Sequence, residues 1–399
     1  MKRLGSMGSW VRRVAALMLT CGVVLAAATG HAAHAAGVPP PLVVMQADIP
    51  VIHLVDISNG QVLYSRNATR RFVPASVTKV MTLYTAFEMI AAGELDPDAS
   101  MAVTPEAWEG WRAKGSSMFL EAGDVVPLAD LLTGIATVSA NDAAYVVAEQ
   151  AAGSLAGWTA LMNARARGLG MTQSHFGTPN GWPDEGRTFT TAHDLVILAK
   201  ALVERHPEQF ARFIGQREYR YRDITQPNRD PLIGRVAGAD GIKTGYTNEA
   251  GYNFLGTAQR GGQRLVVVIA GADRGSTRAK AARDLIEWGF AAFDRKALFD
   301  KGAVVGTARV QDGSLRSLDL VAERAVAVNV PKGAGADMRV EIVYEGPLRA
   351  PIRAGETVAM LEVTAPDMEP ARIPLLAARD IGQAGLLSRI ANAFAGWLG

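Results

Sequence analysis

A serine and a lysine three residues apart are the side chains of this sequence best suited to covalent chemistry. Ser76 and Lys79 lie in the stretch 71–90, where Pro74 disfavours helix immediately before it and apolar residues then recur at helical spacing. The pattern predicts a helix that begins after Val73, with both side chains on one face. Free N–H groups at the helix start would lie beside the Ser76 hydroxyl, and a neutral Lys79 amine could act as its base. The alternative is a surface helix whose serine and lysine are incidental.

A second pair of polar residues, Ser139 and Asn141, interrupts a helical pattern. The pattern runs over 128–136 and resumes at Ala144. A short connection between two helices can present a hydroxyl and an amide into a cleft. Helix capping is the alternative, because serine and asparagine are both good caps.

A third motif, Lys243-Thr244-Gly245, lies on a predicted strand over 242–246. Alternation along a strand would point Lys243 and Gly245 to one face and Thr244 to the other. A glycine inside a strand usually marks a bulge or the close approach of a ligand to the backbone. An exposed edge strand is the alternative.

The three motifs are more specific together than any one of them alone. They occur in the order Ser-x-x-Lys, Ser-x-Asn, Lys-Thr-Gly, which is the set found in active-site-serine proteins that bind penicillin. The flanking segments 115–120, 141–144, 240–245 and 249–252 extend the match. From residue 45 or so to the terminus, the chain resembles the D-alanyl-D-alanine carboxypeptidases. These are the low-molecular-mass penicillin-binding proteins with a β-rich C-terminal domain.

The resemblance implies covalent catalysis centred on Ser76. Ser76 would be the acylated nucleophile, Lys79 its proton acceptor, and Ser139 the relay of a proton to the leaving D-alanine amine. Asn141 would hydrogen-bond the substrate amide. The backbone N–H groups of Ser76 and Tyr246 would form the oxyanion hole. Burial would lower the pKa of the Lys79 amine, which must be neutral to act as a base near pH 7.

The same resemblance assigns the strand motif to substrate binding. Lys243 would hold Ser139 and raise the local positive potential. Thr244 would bind the terminal carboxylate, and Gly245 would let the substrate lie against the strand. Arg278 is a weaker candidate for the carboxylate, with a solvated helix face as the alternative.

Three positions depart from the family pattern. Ala140 stands where many relatives have glycine, and Tyr246 stands where some have histidine. Asn180 stands where histidine is frequent, so no role is carried over to it.

Two other functions share these motifs. A class A β-lactamase needs a glutamate in a Glu-x-x-Leu-Asn element, and the nearest counterpart begins with Thr159. A penicillin-binding sensor without turnover is less favoured, because every motif residue is present.

The sequence thus predicts a serine carboxypeptidase of cell-wall maturation and cell-shape control. It would remove the terminal D-alanine of the peptidoglycan stem pentapeptide and be inhibited by β-lactams. No cofactor or metal is implied, and no two histidines form a His-x-x-x-His pair.

Composition and pattern divide the chain into four predicted segments. Residues 1–36 are a signal peptide, with four basic residues before the apolar run 14–28 and small residues around position 34. Residues 37–298 form an α+β domain of the β-lactamase/transpeptidase type, an antiparallel sheet with helices and a helical insert. Residues 299–382 form a small all-β domain, because they alternate apolar and polar residues without a helix-length pattern. In the α+β domain the predicted strands are 51–57, 61–65, 242–246, 252–259 and 264–270, and the later helices are 158–170, 191–206 and 278–293.

Residues 383–399 form the fourth segment, a predicted amphipathic helix. Its apolar residues recur at helical spacing: Leu386, Leu387, Ile390, Phe394, Trp397 and Leu398. The segment is too short to span a bilayer, so we expect it to lie in the plane of a membrane surface. The prediction is an exported protein on the periplasmic face of the inner membrane. The alternatives are a terminal helix that packs on the β domain and an N-terminal segment retained as an anchor.

Charge and cysteine content bear on the possible partners of the protein and on its cellular compartment. The full sequence has 41 basic and 39 acidic residues, a net charge of +2. Residues 1–36 hold four basic and no acidic residues, so the mature chain has 37 against 39, or −2. No long basic run follows, which argues against a nucleic-acid partner. Cys21 is the only cysteine, and it lies in the predicted signal peptide, so the mature protein would have no disulfide. An exported protein without cysteine is more typical of a bacterial periplasm than of small secreted modules held together by disulfides.

Overall fold

Two structural units make up the described part of the chain. The computed structural model describes residues 15–16, 48–112, 114–333, 337–366 and 368–385. One unit contains residues 48–58 and the described part of Val62–Ala291, and the other contains Asn59–Gln61 and the described residues from Ala292 to 385, with the two-residue strand β1 (Ala15–Ala16). Apart from β1, the predicted signal peptide lies outside the described residues, and so does the predicted terminal helix beyond residue 385.

A five-stranded sheet forms the centre of the first unit. Its strands are β2 (Val51–Asp56), β3 (Gln61–Arg66), β8 (Ala239–Thr247), β9 (Gly251–Arg260) and β10 (Gln263–Ala272). The spatial order is β3-β2-β10-β9-β8, and β10 pairs antiparallel with both β2 and β9. Strands β9 and β10 are buried along most of their length, whereas β8 forms an edge. The edge strand carries the Lys-Thr-Gly motif, so its outer side is free to line a site.

The helices of this unit pack around the sheet and supply much of the core, and two strand pairs accompany them. The helices are α1 (Lys79–Ala91), α2 (Pro105–Trp111), α3 (Leu128–Thr137), α4 (Asn141–Ala152), α5 (Leu155–Gly168), α6 (Ala192–Arg205), α7 (Pro207–Phe213) and α8 (Gly275–Ala291). The two strand pairs are β4 (Ser100–Ala102) with β5 (Val125–Pro127), and the hairpin β6 (Glu218–Tyr221) with β7 (Ile224–Pro227). Helices α6 and α8 pack against the sheet, and α1 packs among α3, α5 and α6. Nearly every side chain of α1 is buried, which makes it a rigid support for the residues at its start.

The start of α1 differs from the sequence prediction. A 3₁₀ helix over Ala75–Thr78 comes first, and the α-helix begins only at Lys79. Ala75 has a positive φ of 50°, so the chain turns sharply after Pro74 instead of entering an α-helix directly. Side chains at i and i+3 eclipse each other in a 3₁₀ turn, and Ser76 therefore still faces Lys79.

The second unit consists of strands and turns in its described residues. Its strands are β11 (Phe293–Phe299), β12 (Val304–Gln311), β13 (Ser317–Ala322), β14 (Val326–Pro331), β15 (Arg339–Val343), β16 (Leu348–Arg349), β17 (Thr357–Thr364) and β18 (Ala371–Ala377). Seven strands form one sheet in the order β1-β15-β17-β18-β13-β12-β16, and β11 pairs with β14. Buried residues such as Leu320, Leu361 and Leu375 fill its core.

The predicted fold class is confirmed: an antiparallel sheet with helices is followed by an all-β unit. The closing helix, predicted over 278–293, is α8 and ends at Ala291, because Phe293 already begins β11. The predicted domain boundaries at 298/299 and 382/383 stay predictions.

The turn that carries Ser76 is held from outside by a glycine. Gly181 has a positive φ of 72° and packs against the backbone of Ala75. A Cβ at position 181 would overlap the Ala75 carbonyl oxygen and lie 2.8 Å from Thr78 Oγ1. Only glycine therefore lets the 177–186 loop close on the 3₁₀ turn.

We expect Gly181→Ala to destabilise the first unit more than Gly186→Ala does. Gly186 lies in the same loop with a φ of 78°, but a Cβ there meets no atom within 4 Å. Both variants carry the cost of alanine in a left-handed conformation, about 1–2 kcal/mol. Gly181→Ala adds overpacking, about 1–3 kcal/mol more, so its Tm should fall at least about 2 °C below that of the control. Thermal unfolding followed by tryptophan fluorescence measures the difference, and equal Tm values would contradict the packing role.

Candidate active site

A cleft of about 450 Å³ in the first unit gathers the residues singled out from the sequence. Its walls come from the 3₁₀ turn, the α3–α4 connection, the 177–186 loop, the edge strand β8 and helix α8. Seven of the predicted site residues line it: Ser76, Ser139, Asn141, Thr244, Gly245, Tyr246 and Arg278. The other two, Lys79 and Lys243, are buried, with 0% and 3% of their surfaces exposed. The three motifs therefore meet at one place.

The Lys79 amine lies behind Ser76 with three oxygen atoms around it. Lys79 Nζ is 3.0 Å from Ser76 Oγ, 2.7 Å from Asn141 Oδ1 and 2.7 Å from the Asn180 carbonyl oxygen. The amide and carbonyl oxygens can only accept hydrogen bonds, so a neutral amine would donate both of its N–H groups to them. Its lone pair is then left to accept from the Ser76 hydroxyl.

Electrostatics favour the neutral form of that amine. Burial lowers the pKa of Lys79 well below its ordinary value, and the charge of Lys243 lowers it further. The carboxylate of Asp142 opposes both effects and is the smallest of the three. A neutral Lys79 can act as a base, as the sequence analysis required.

The Ser-x-Asn motif forms the second wall. Ser139 adopts a left-handed conformation with a φ of 65°, which is uncommon for a serine and is typical of strained functional sites. Helix α4 begins two residues later, at Asn141, with Ala140 as its N-cap. Asn141 Nδ2 donates to the Lys114 carbonyl oxygen (3.1 Å), and its backbone N–H donates to the Ser116 carbonyl oxygen (2.8 Å). The motif is thus tied to the 114–120 loop.

A buried carboxylate that the sequence analysis gave no role fixes this loop. Asp142 accepts hydrogen bonds from Ser117 Oγ at 2.6 Å and from the N–H groups of Met118 and Leu120, each at 3.2 Å. These bonds hold the loop that Asn141 touches. The neighbouring Asn141-Asp142 letters could have suggested the role, but a sequence does not show which distant N–H groups converge on a carboxylate.

The edge strand β8 forms the third wall. Thr244 and Gly245 line the cleft, and Lys243 Nζ donates to the Thr244 carbonyl oxygen at 3.1 Å. Among the described residues no hydrogen bond joins Lys243 to Ser139, so the contact implied by the resemblance is not present here. Burial lowers the pKa of Lys243 to about 7, and the charges of Arg229 and Arg278 act in the same direction.

Gly245 is needed for packing as well as for access to the strand. A Cβ at this position would lie 2.5 Å from the Pro74 carbonyl oxygen and 3.2 Å from the Ser76 nitrogen. The missing side chain lets β8 lie directly against the turn that carries Ser76. This approach brings the Ser76 N–H and the backbone of Tyr246 to the same end of the cleft. The Tyr246 ring stacks on Tyr252, with centroids 4.2 Å apart.

Two arginines bring positive charge to the cleft. Arg278 lines it, and so does Arg229, which the sequence analysis missed and which donates to Ser116 Oγ at 2.7 Å. Asp230 is buried nearby, and burial raises the pKa of its carboxyl to about 6 against the opposing N–H groups of Leu232 and Ile233. Nothing in the sequence around Arg229 distinguishes it from a solvated loop arginine.

The chemistry of such a cleft is acyl transfer to a serine. A hydroxyl with a neutral amine as its base, nearby backbone N–H groups and cationic side chains in the same cleft suit an acyl donor that ends in a carboxylate. The described residues hold no cluster of three or more histidine, cysteine, aspartate or glutamate side chains that could bind a metal ion. Fold and site together define a serine-type peptidase of the penicillin-binding kind.

Comparisons with known proteins identify the family. The model of the D-alanyl-D-alanine carboxypeptidase family matches residues 40–274, and that of the penicillin-binding protein 5 C-terminal domain matches residues 293–383. D-alanyl-D-alanine carboxypeptidase DacD of Escherichia coli K12 is 33% identical over 355 residues, which are 86% of this chain and 91% of that protein. The chain belongs to the D-alanyl-D-alanine carboxypeptidase family and is a serine-type D-Ala-D-Ala carboxypeptidase.

Solved structures agree with this assignment. Penicillin-binding protein 5 from Haemophilus influenzae has a TM-score of 0.76 and 28% identity, and the match covers 87% of this chain and 100% of that chain. Penicillin-binding protein D2 from Listeria monocytogenes, in its ampicillin-bound form, has a TM-score of 0.56 and 29% identity, covering 63% of this chain and 100% of that chain. No helix in the described ranges has the length and apolar character needed to cross a membrane.

We expect a bell-shaped pH dependence of kcat/KM for D-alanine release. The rising limb reports deprotonation of Lys79, whose pKa is lowered by burial, because only the neutral amine is a base. The falling limb, near pH 7, reports loss of the Lys243 charge, because its pKa is about 7 and its cationic form attracts the substrate carboxylate. Arginine keeps its charge, so Lys243→Arg should move the falling limb to higher pH.

The control is Lys280→Arg, on an exposed part of α8. Profiles between pH 5 and 10 for the wild type and both variants give the comparison. An unchanged falling limb in Lys243→Arg would rule out Lys243 as its source.

Proposed function

We propose that this carboxypeptidase removes the terminal D-alanine of peptidoglycan stem pentapeptides through an acyl-enzyme on Ser76. The observation that carries the proposal is the 3.0 Å pairing of Ser76 Oγ with the buried Lys79 amine. Carbonyl-type oxygens take the other hydrogen bonds of that amine. Ser76 is therefore the hydroxyl that a neutral Lys79 can deprotonate.

Acylation would begin with attack of Ser76 Oγ on the carbonyl carbon of the penultimate D-alanine. The hydroxyl proton passes to Lys79 Nζ, and the carbonyl electrons move onto oxygen. The N–H groups of Ser76 and Tyr246 would stabilise that oxyanion. Collapse of the tetrahedral intermediate breaks the C–N bond, and the leaving nitrogen takes up a proton through Ser139. Free D-alanine departs, and the shortened peptide stays as an ester on Ser76.

The substrate carboxylate would bind near Thr244 and the arginines that line the cleft. Thr244 can donate its hydroxyl, and Arg278 and Arg229 supply positive charge. Among the described residues, Arg278 Nε is buried without a hydrogen-bond partner, and Nη1 donates to the Asn253 carbonyl oxygen at 3.5 Å. A carboxylate would satisfy this donor, which supports a binding role for Arg278.

Deacylation would use water with Lys79 again as the base. No aspartate or glutamate lines the cleft in the described part of the chain, so a carboxylate-driven hydrolysis like that of class A β-lactamases has no base here. Thr159, at the position compared with their glutamate, donates to the Ala156 carbonyl oxygen within α5 and does not line the cleft. We therefore infer that β-lactams act as slow-release acylating inhibitors. The ampicillin-bound form of the Listeria relative supports this inference.

Penicillin G should add one molecule to the protein, with the adduct on Ser76. Ser76→Ala should form no adduct, and Lys79→Arg should acylate more slowly by at least about 10²-fold, because the base is lost while the charge is kept. Intact-protein mass spectrometry measures the rates, and peptide mapping locates the adduct. An adduct on any other residue would refute the nucleophile assignment. Wild-type acylation rates in Lys79→Arg would refute the base assignment.

We also propose that the protein is exported and held at the periplasmic face of the inner membrane. Support for export comes from the basic, apolar and small-residue pattern of residues 1–36. Support for the membrane contact comes from the apolar spacing after residue 385. The described chain enters that segment from a fixed point, because the Ala384 N–H donates to the Asp312 carbonyl oxygen at 2.8 Å.

Truncation after Gly385 should release the protein from membranes without loss of peptide cleavage, because Ala384 and its hydrogen bond are kept. Two full-length variants sharpen the test. Phe394→Glu places a charge on the apolar side and should weaken membrane association about tenfold or more. Asn392→Glu places the same charge on the polar side and should not. Cell fractionation and flotation with anionic lipid vesicles measure the association, and equal behaviour of the two variants would contradict an apolar contact.

A further inference from the structure

An exposed tryptophan forms part of the wall of the catalytic cleft. Trp182 lines the cleft with 40% of its surface exposed. Tryptophan carries a large apolar surface, so its exposure in a concave site, rather than on an open face, is typical of a ligand contact. The mechanism proposed above gives this side chain no task.

Trp182 is held rigidly in place by its neighbours. Trp111 packs against it edge-on, with centroids 5.4 Å apart and an interplanar angle of 86°, and Trp111 in turn packs on Tyr145. The backbone N–H of Trp182 donates to Asn180 Oδ1 at 3.0 Å, which fixes the main chain that carries the ring. On another side the ring lies against Gly115, where a Cβ would come within 3.1 Å of Trp182 Cζ3. A fixed ring of this kind binds a ligand with little loss of side-chain entropy.

The contacts of Trp182 place it at the acyl end of the cleft. Gly115 lies next to both Trp182 and Asn141, because a Cβ added to this glycine would also lie 2.8 Å from Asn141 Nδ2. Asn141 is the residue assigned to the substrate amide on the acyl side of the scissile bond. Arg278 contacts a different wall, where its guanidinium lies over the Tyr252 ring. A group bound by Trp182 is therefore part of the acyl chain and not part of the leaving D-alanine.

We propose that Trp182 is a specificity-determining residue that binds the side chain of the residue preceding D-alanyl-D-alanine in the substrate. An indole face makes dispersion contacts with long aliphatic chains and stacks on aromatic rings. Its contact with a methyl group is much smaller. The preferred acyl donors thus carry a long aliphatic or aromatic group at this position. The same contact should favour penicillins with an aromatic side chain. This inference rests on the proposed acylation of Ser76.

The test compares two penams that differ only in one group. Penicillin G carries a phenylacetyl amide, and its acetyl analogue keeps the amide but lacks the ring. The ratio of their acylation rate constants should favour penicillin G in the wild type and fall about 2- to 10-fold in Trp182→Ala. Trp182→Phe should keep most of the ratio. Trp108→Ala is the matched control, because Trp108 lies on α2 beside Trp111 but does not line the cleft, and it should leave the ratio unchanged.

Peptides provide the second measurement. Release of D-alanine from acetyl-norleucyl-D-alanyl-D-alanine, relative to the acetyl-alanyl peptide, should fall in Trp182→Ala in parallel with the penam ratio. If Trp182→Ala lowered the rate constants of both penams by one factor and those of both peptides by one factor, the ratios would not change. Trp182 would then have a structural role only, and the inference would be overturned. A changed penam ratio with an unchanged peptide ratio would overturn the substrate assignment. Absence of any adduct on wild-type Ser76 would refute the proposed function itself, and the inference would fall with it.

Discussion

The buried amine of Lys79 is the interaction on which the rest of the site depends. Its three oxygen partners come from three separate segments: Ser76 from the 3₁₀ turn, Asn141 from the start of α4, and Asn180 from the 177–186 loop. An isolated ammonium at this depth would be costly, and a neutral amine without partners would leave polar atoms unsatisfied. The neutral, fully hydrogen-bonded amine avoids both costs. The same arrangement aims its lone pair at Ser76, so the condition for stability and the condition for the proposed catalysis coincide.

Several residues around the cleft have strained backbone conformations. Ala75, Ser139 and Phe119 all have positive φ, and conformations of this kind cost about 1–3 kcal/mol each in non-glycine residues. Rigid elements on either side make the strain tolerable. Helix α1 is buried along almost its whole length, and the Asp142 carboxylate collects three hydrogen bonds from the 117–120 segment. The strained residues are therefore held by their neighbours and not by their own conformational preferences.

This distribution explains what the sequence could and could not reveal. Regular elements such as β9, β10 and α6 were predictable, because hydrophobic periodicity is a local signal and their burial follows it. The motif residues were found because their side chains are chemically distinctive. The 3₁₀ turn was missed because Ala75 gives no sign of a positive φ. The role of the Asn180 carbonyl was missed because the residue type does not indicate what its backbone oxygen accepts. Arg229 was missed because only the folded structure shows that its loop lines the cleft.

The charges of the cleft also act on one another during the proposed reaction. In the free enzyme the Lys243 charge helps to lower the pKa of Lys79, so the base is neutral before substrate arrives. Arg229 and Arg278 lower the pKa of Lys243 in the same way. A substrate carboxylate bound among these cations would oppose both effects. It would stabilise the charged form of Lys243, which keeps the carboxylate bound, and it would raise the proton affinity of Lys79 at the moment when Lys79 must take the proton of Ser76. In the proposed mechanism, binding of the correct terminal group would thus prepare Lys79 to act as the base, and a peptide without the carboxylate would lack this effect even if it reached the cleft.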